Sequence, residues 1–252
     1  MQNQHNLPFP CFYFRPRFYA VLQVSLFLTS ALLFPLSLSA DLSTPKSGIA
    51  ATVEKPTQDS TCKIIYAGFV GALETSNHKG SGVVQIRDTL RGVNYPDVCA
   101  NSFIPVSWIS ARDWILTHFP SHPDQLTPAE LQVVPRVIMV GHSTGGWAML
   151  SVARDLRNKK IPIELTVQID SVGFTDYIIP SNVSFGAIFH APDALMFMTT
   201  KNVRLEDPIH SKIIANVLVR HASHLSITRD PRIRQLVMDS IATLRQQIAA
   251  PH

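Results

Sequence analysis

Apolar residues follow two spacings after residue 62, and the two spacings alternate along the chain. Short unbroken apolar runs are typical of strands buried on both faces of a sheet, whereas apolar residues three or four apart mark one face of a helix. This alternation predicts an α/β domain with a mostly parallel sheet of about six strands and helices on both faces. The predicted strands cover 63–67, 98–106, 137–140, 163–169, 183–189 and 212–219, and the predicted helices cover 83–90, 108–119, 147–157 and 229–249.

The first forty residues have a different pattern from the rest of the chain. Arg15 and Arg17 precede the uncharged stretch 18–38, and small residues follow this stretch up to Ala40. A positive flank, an apolar stretch and small residues at its end indicate an export signal, which is either removed or retained as a membrane anchor. We therefore expect a signal peptide or anchor over 1–40, a linker over 41–61, and one domain over 62–252 that acts outside the cytoplasm, in the periplasm or secreted.

The bulk composition fits one well-packed domain, and the distribution of charged, histidine and cysteine residues argues against nucleic acid and metal as partners. The chain has 252 residues, of which 46% are hydrophobic and 16% are charged, with a formal charge of +4. Without Arg15 and Arg17, 20 basic residues face 18 acidic ones, and no basic run occurs. We therefore expect no nucleic-acid partner. The histidines are scattered and no C-x-x-C pair occurs, so we expect no metal and no other cofactor.

Cysteine usage leaves two possibilities open. Cys11 lies in the leader, so Cys62 and Cys99 remain in the mature chain. An even pair in an oxidising compartment is compatible with a disulfide, and the spacing is equally compatible with two separate buried thiols.

Residues 137–147 carry the most informative motif of the chain. They form a short apolar run that ends in Gly-His-Ser-Thr-Gly, followed by a helix-compatible stretch. This G-x-S-x-G pattern predicts a tight strand-to-helix turn with a nucleophilic serine. A serine on such a turn has strained backbone angles, and side chains two residues away would collide. Gly141 and Gly145 remove those side chains, so the hydroxyl of Ser143 stands clear of the turn.

A nucleophilic serine needs a histidine as base, and that histidine needs an acid to orient it. Both partners are expected on loops at the carboxyl ends of later strands. His224 follows the last predicted strand and is favoured over His221, whereas His142 is expected to pack or hydrogen-bond rather than act as base. Asp170 ends one strand and Asp193 follows the next, so topology leaves both open as the acid. Asp170 is favoured because its polar turn is short and rigid.

Negative charge that develops on a substrate oxygen needs two backbone N–H donors. One is expected from Thr144, directly after the serine. The other is expected from the turn at 68–71, where Phe69 or Val70 is the candidate donor. An ordinary tight turn explains the glycines of this segment equally well.

These features resemble the α/β-hydrolase superfamily, specifically its lipase- and esterase-like members. The resemblance rests on the elbow around Ser143, on the chain order of Ser143, Asp170 and His224, and on the glycine turn after the first strand. Over residues 62–250 the resemblance lies in the order of strands and helices. Members commonly place the acid after the second strand beyond the nucleophile, which favours Asp193. Some lipases place the acid one strand earlier, which matches Asp170.

The resemblance also implies a function. We expect an exported serine hydrolase that cleaves carboxylic esters of a small molecule or lipid through an acyl-enzyme, with no cofactor. The alternatives are a thioesterase or amidase, or a non-catalytic binding protein on the same scaffold.

Family members usually have two more strands and a hairpin before the strand that is first here, so the fold is expected to be shortened at its N-terminus. A retained 18–38 segment would add membrane association.

Overall fold

A six-stranded parallel sheet organises the part of the chain that the computed structural model describes, namely residues 62–120, 122–173, 176–192 and 202–250. Its strands are β1 Ile64–Phe69, β2 Val98–Phe103, β3 Arg136–His142, β4 Ile163–Ile169, β6 Val183–His190 and β8 Lys212–Leu218. They lie in the order β2-β1-β3-β4-β6-β8, and every neighbouring pair is parallel. Two short strands, β5 Ile178–Ile179 and β7 Arg204–Leu205, form a separate parallel pair. The helices are α1 Gly82–Val93, α2 Trp108–Leu116, α3 Glu130–Val133, α4 Thr144–Asn158 and α5 Pro231–Ala249.

Helices cover both faces of this sheet, and each face has its own cluster of buried apolar side chains. One cluster joins sheet residues such as Ile138 and Val140 to α1 and α5. The other joins Val137 and Met139 to α2 and α4. The alternation follows from strand geometry, because successive side chains of a strand point to opposite faces. The predicted fold class, a mostly parallel sheet of six strands with helices on both faces, is confirmed.

Most predicted elements lie within a few residues of their observed bounds, and the differences have local causes. The strand predicted over 98–106 ends at Phe103, because Pro105 begins a short 3-10 turn and cannot continue a sheet ladder. The helix predicted from Trp147 begins at Thr144, directly after the serine turn. Strands β5 and β7 were not predicted, since two residues carry no recognisable period.

A disulfide joins Cys62 to Cys99, with their Cα atoms 5.6 Å apart. Cys62 directly precedes β1, and Cys99 lies in β2, opposite Ile65. The bond therefore fastens the amino-terminal end of β1 to the neighbouring strand. Of the two possibilities that the spacing left open, the structure contains the bridge.

The helices of the described residues include none with the length and apolarity needed to cross a membrane. The predicted leader over 1–40, the linker over 41–61 and the alternative acid Asp193 lie outside the described residues.

Helix α1 has a glycine near each end, and their surroundings differ. A Cβ on Gly82 would overlap the backbone carbonyl of Thr228, whereas a Cβ on Gly92 would meet nothing within 4 Å. We expect Gly82→Ala to lower the free energy of unfolding by about 1–3 kcal/mol, because backbone must move to admit the methyl group. Gly92→Ala should raise it by up to about 1 kcal/mol, because alanine has the higher helix propensity. Urea unfolding measures both, and equal effects would contradict the packing of α1 against Thr228.

Candidate active site

Ser143 lies on the turn between β3 and α4 in a strained conformation. Its φ of 54° and ψ of −129° are rarely adopted by residues that carry a side chain. Its N–H donates to the Ile169 carbonyl at 3.0 Å, and its own carbonyl accepts from the N–H groups of Gly146 and Val172 at 2.9 and 3.1 Å. The end of β4 and the start of α4 therefore hold the serine in this conformation.

Close packing around Ser143 requires glycine on both sides. A Cβ on Gly141 would lie 2.6 Å from the carbonyl oxygen of Gly145. This is the collision across the turn that the sequence pattern predicts. A Cβ on Gly145 would overlap the carbonyl groups of Phe69 and Val70. Gly145 thus also allows the segment after β1 to approach the start of α4, which is a tertiary contact that the motif alone does not indicate.

His224, the predicted base, lies in the loop between β8 and α5. Its Nε2 is 3.0 Å from Ser143 Oγ, and only 8% of the residue is exposed. The alternative, His221, is exposed on the same loop. His210 is exposed before β8 and its Nδ1 lies 2.8 Å from Asp207. Of these three histidines, the fold brings His224 to the serine.

Asp170, the favoured acid, lies directly after β4 and is buried. Its Oδ2 is 2.6 Å from His224 Nδ1, and its Oδ1 accepts from the Ala191 N–H at 3.2 Å. Its own N–H donates to the Phe189 carbonyl at 2.7 Å, and its φ is 43°. The residue is thus fixed at both backbone and carboxylate, in the rigid setting that its short turn predicted. Asp193, the alternative acid, lies outside the described residues.

These hydrogen bonds determine what the His224 ring can do. A carboxylate only accepts, so Nδ1 carries a proton and donates a hydrogen bond to the Asp170 carboxylate. In the neutral ring Nε2 then has a lone pair facing the Ser143 hydroxyl. Such a ring can take the proton of the serine while the acid holds its orientation. The arrangement suits attack by Ser143 Oγ on an electrophilic carbon.

The predicted oxyanion donors differ in their availability. Thr144 is the first residue of α4, where N–H groups have no acceptor within the helix and the helix dipole favours negative charge. The Val70 N–H instead donates to the Phe103 carbonyl at 3.0 Å, so it is not available as a donor in this structure. Val70 is engaged because the ladder between β1 and β2 extends one residue beyond Phe69. Phe69 itself is paired with Gly141 at the end of β3.

Sequence reasoning missed Glu74, which reaches the site through His142. His142 Nε2 is 2.9 Å from the carbonyl oxygen of His224, and His142 Nδ1 is 3.4 Å from Glu74 Oε2. His142 is therefore a buried hydrogen-bonding residue, as expected from its position beside the serine. Glu74 stands in an irregular loop with no motif around it, and only the tertiary structure brings it to His142.

One set of metal-ligand side chains lies together among the described residues. Ligand atoms of Cys62, Cys99 and His118 lie within 4.8 Å of one another. Both sulfur atoms are in the disulfide and offer no thiolate. His118 and His122 stand four residues apart, but α2 ends at Leu116 and Pro120 lies between them, so no helix presents them as a pair.

Comparisons with known proteins give remote similarities to solved structures, among them RedJ, EstE5 and SrfTE. No family model and no curated protein matches the chain. RedJ, with a polyethylene glycol molecule bound in its active site, is 12% identical with a TM-score of 0.42, and the match covers 78% of this chain and 96% of RedJ. EstE5, soaked with ethyl alcohol, is 13% identical with a TM-score of 0.40, and the match covers 75% of this chain and 79% of EstE5. SrfTE, the thioesterase domain that cyclises the lipopeptide antibiotic surfactin, is 11% identical with a TM-score of 0.37. The match covers 71% of this chain and 92% of SrfTE. At such low identities and TM-scores, a functional assignment rests on the geometry of this chain alone.

Proposed function

We propose that this chain is an exported serine hydrolase of the α/β-hydrolase type, which cleaves carboxylic esters through an acyl-enzyme. One observation carries the proposal. The His224 ring lies between the Ser143 hydroxyl, at 3.0 Å, and the Asp170 carboxylate, at 2.6 Å. Hydrogen-bond geometry of this kind supports nucleophilic catalysis because it supplies both the nucleophile and an oriented base.

The proposed reaction proceeds in two halves. Ser143 Oγ attacks the ester carbonyl carbon while its proton passes to His224 Nε2. The tetrahedral intermediate then expels the alcohol, which takes that proton, and leaves an acyl group on Ser143. Water, deprotonated by His224, attacks the acyl-enzyme and releases the carboxylic acid. Asp170 holds the orientation of the His224 ring and stabilises its imidazolium form.

The N-terminus of α4 supports the proposed stabilisation of the oxyanion. The Thr144 N–H is the donor that we assign, because it follows the nucleophile and has no acceptor within the helix. Neither predicted donor of the segment after β1 is assigned, because the Val70 N–H donates to the Phe103 carbonyl and Phe69 is the last residue of β1, which is paired with strands on both sides.

Exposed apolar side chains favour an apolar ester substrate. Leu73, Val106 and Leu225 are 95%, 84% and 70% exposed, and they lie in loops that follow β1, β2 and β8. The carboxyl ends of parallel strands meet at one edge of a sheet, so these side chains share the edge where Ser143 lies. They offer an apolar surface for the acyl chain of a small-molecule or lipid ester.

The disulfide supports the proposed export. The bond between Cys62 and Cys99 persists in an oxidising compartment, whereas cytosolic thiols are generally kept reduced. Export agrees with the positive flank and apolar stretch of residues 1–40. We accordingly propose that the protein encounters its substrate outside the cytoplasm.

A fluorophosphonate probe tests the nucleophile. The folded wild-type protein should be labelled, and Ser143→Ala should lose both labelling and ester hydrolysis. Ser151→Ala is the matched control, because Ser151 lies in α4, the helix directly after the turn of Ser143, with its hydroxyl bonded to the Trp147 carbonyl. It should be labelled like the wild type. Folded wild-type protein that neither reacts with the probe nor hydrolyses esters would instead indicate a non-catalytic binding protein.

Replacing the acid tests the orientation of the base. Asp170→Asn should lower kcat for an ester by about 10³–10⁴-fold, because an amide can present N–H to His224 Nδ1 and reverse its tautomer. Asp176→Asn is the control, since Asp176 is also buried but accepts from Ser171 Oγ at 2.6 Å. Asp193→Asn should leave kcat unchanged. A loss in Asp193→Asn with an active Asp170→Asn would transfer the role to Asp193.

A series of p-nitrophenyl esters tests the apolar surface. The double variant Leu73→Ser, Val106→Ser should raise KM for the octanoate about fivefold, equivalent to about 1 kcal/mol of lost apolar contact, and leave the acetate unchanged. Ile209→Ser is the control, because Ile209 is 85% exposed but precedes β8 and so lies towards the opposite edge of the sheet. Equal effects on both esters would contradict an acyl-binding role.

A further inference from the structure

His142 occupies a buried position between three parts of the site. It is 1% exposed and is the last residue of β3, directly before Ser143. Its Nε2 lies 2.9 Å from the main-chain carbonyl oxygen of His224, and the two imidazole rings are 5.0 Å apart. A carbonyl oxygen only accepts, so Nε2 carries a proton and donates a hydrogen bond to the His224 carbonyl.

Glu74 lies at the other nitrogen of this ring. Its Oε2 is 3.4 Å from His142 Nδ1 and also accepts from the Gly71 N–H at 2.8 Å and from Ser81 Oγ at 3.3 Å. Burial by itself raises the pKa of Glu74, but the hydrogen bonds from His142 and from the Gly71 N–H lower the pKa below its usual value. The carboxylate is therefore ionised at neutral pH and only accepts, so a hydrogen bond at His142 Nδ1 requires that this ring nitrogen carries a proton as well.

A continuous chain of contacts follows from these distances. It runs from the Gly71 N–H to Glu74, then to the His142 ring, and then to the main chain of His224. One end lies in the turn after β1, beside the start of α4. The other end lies in an irregular loop that carries the proposed base. These contacts therefore connect the turn after β1 with the loop that carries His224, and both segments must keep fixed positions around Ser143.

We propose that His142, oriented by Glu74, is a positioning residue that fixes the main chain of His224 relative to Ser143. It takes no proton from the substrate and does not touch the reacting atoms. The inference rests on the proposed function for its effect on rate. Its structural content, the placement of the His224 ring, is independent of that function. Because misplacement of a catalytic group by about 1 Å costs up to about 100-fold in rate, kcat should depend on His142 more strongly than KM does.

Two variants of His142 separate positioning from packing. His142→Phe keeps a buried ring but removes the donor to His224, and should lower kcat by about 10- to 100-fold with KM within about twofold. His142→Gln restores an N–H donor on a side chain of similar reach, and should recover most of that loss. A residue that matters only for packing would show the opposite order, because phenylalanine fills the space better than glutamine.

Glu74→Gln tests the other half of the pair. It should lower kcat in the wild type but have little further effect in His142→Phe, because Glu74 acts through His142. Glu130→Gln is the matched control, since the Glu130 carboxylate also accepts from a backbone N–H three residues earlier, that of Thr127. Glu130 is the exposed first residue of α3, so this substitution should not alter kcat. Additive losses in the double variant of Glu74 and His142 would overturn the coupling.

An NMR measurement of the His224 ring keeps this inference separate from the proposed reaction. The Nδ1 proton bonded to Asp170 should give a resolved signal in the wild type that shifts or broadens in His142→Phe and returns in His142→Gln. An unchanged signal and unchanged kcat in folded His142→Phe would overturn the inference. Wild-type protein without hydrolysis or probe labelling would overturn the proposed function, and the NMR signal would still decide the role of His142.

Discussion

The close approach of three strand ends at the start of α4 is the constraint on which the rest of the structure depends. Gly145 faces the carbonyls after β1, and Gly146 faces the side chain of Ser171 after β4. A Cβ at either position would separate these segments from the helix. Because no side chain intervenes, the ends of β1, β3 and β4 meet around Ser143. The parallel register of these strands then brings Asp170 to the same edge.

Burial of a charged group at this edge is compensated by hydrogen bonds. An unpaired buried carboxylate is unfavourable, but that of Asp170 lies 2.6 Å from His224 Nδ1 and accepts from a backbone N–H. Backbone strain is also present there, since both Ser143 and Asp170 have positive φ, which costs roughly 1–3 kcal/mol at each residue. Burial of β1 and of the two apolar clusters on the faces of the sheet provides the stability that compensates for this strain.

Most of the fold was predictable because strands buried on both faces and amphipathic helices leave distinct patterns. The bounds were less so: Phe103 ends β2 because of the proline that follows, and β5 and β7 are too short to carry a period. At the site, Ser143 follows from a local motif and His224 from its place after the last strand. The engaged N–H of Val70 was not predictable, since it depends on how far the ladder between β1 and β2 extends.

The sequence by itself determined the alternation of strands and helices, the strained turn at Ser143 and its glycines, because these depend on neighbouring residues and on local sterics. The tertiary structure decided the bridge between Cys62 and Cys99, the contact of Asp170 with His224, and the link from Glu74 through His142 to the base loop. These contacts join residues far apart in the chain. Strand order and register set their distances, and no local pattern encodes either one.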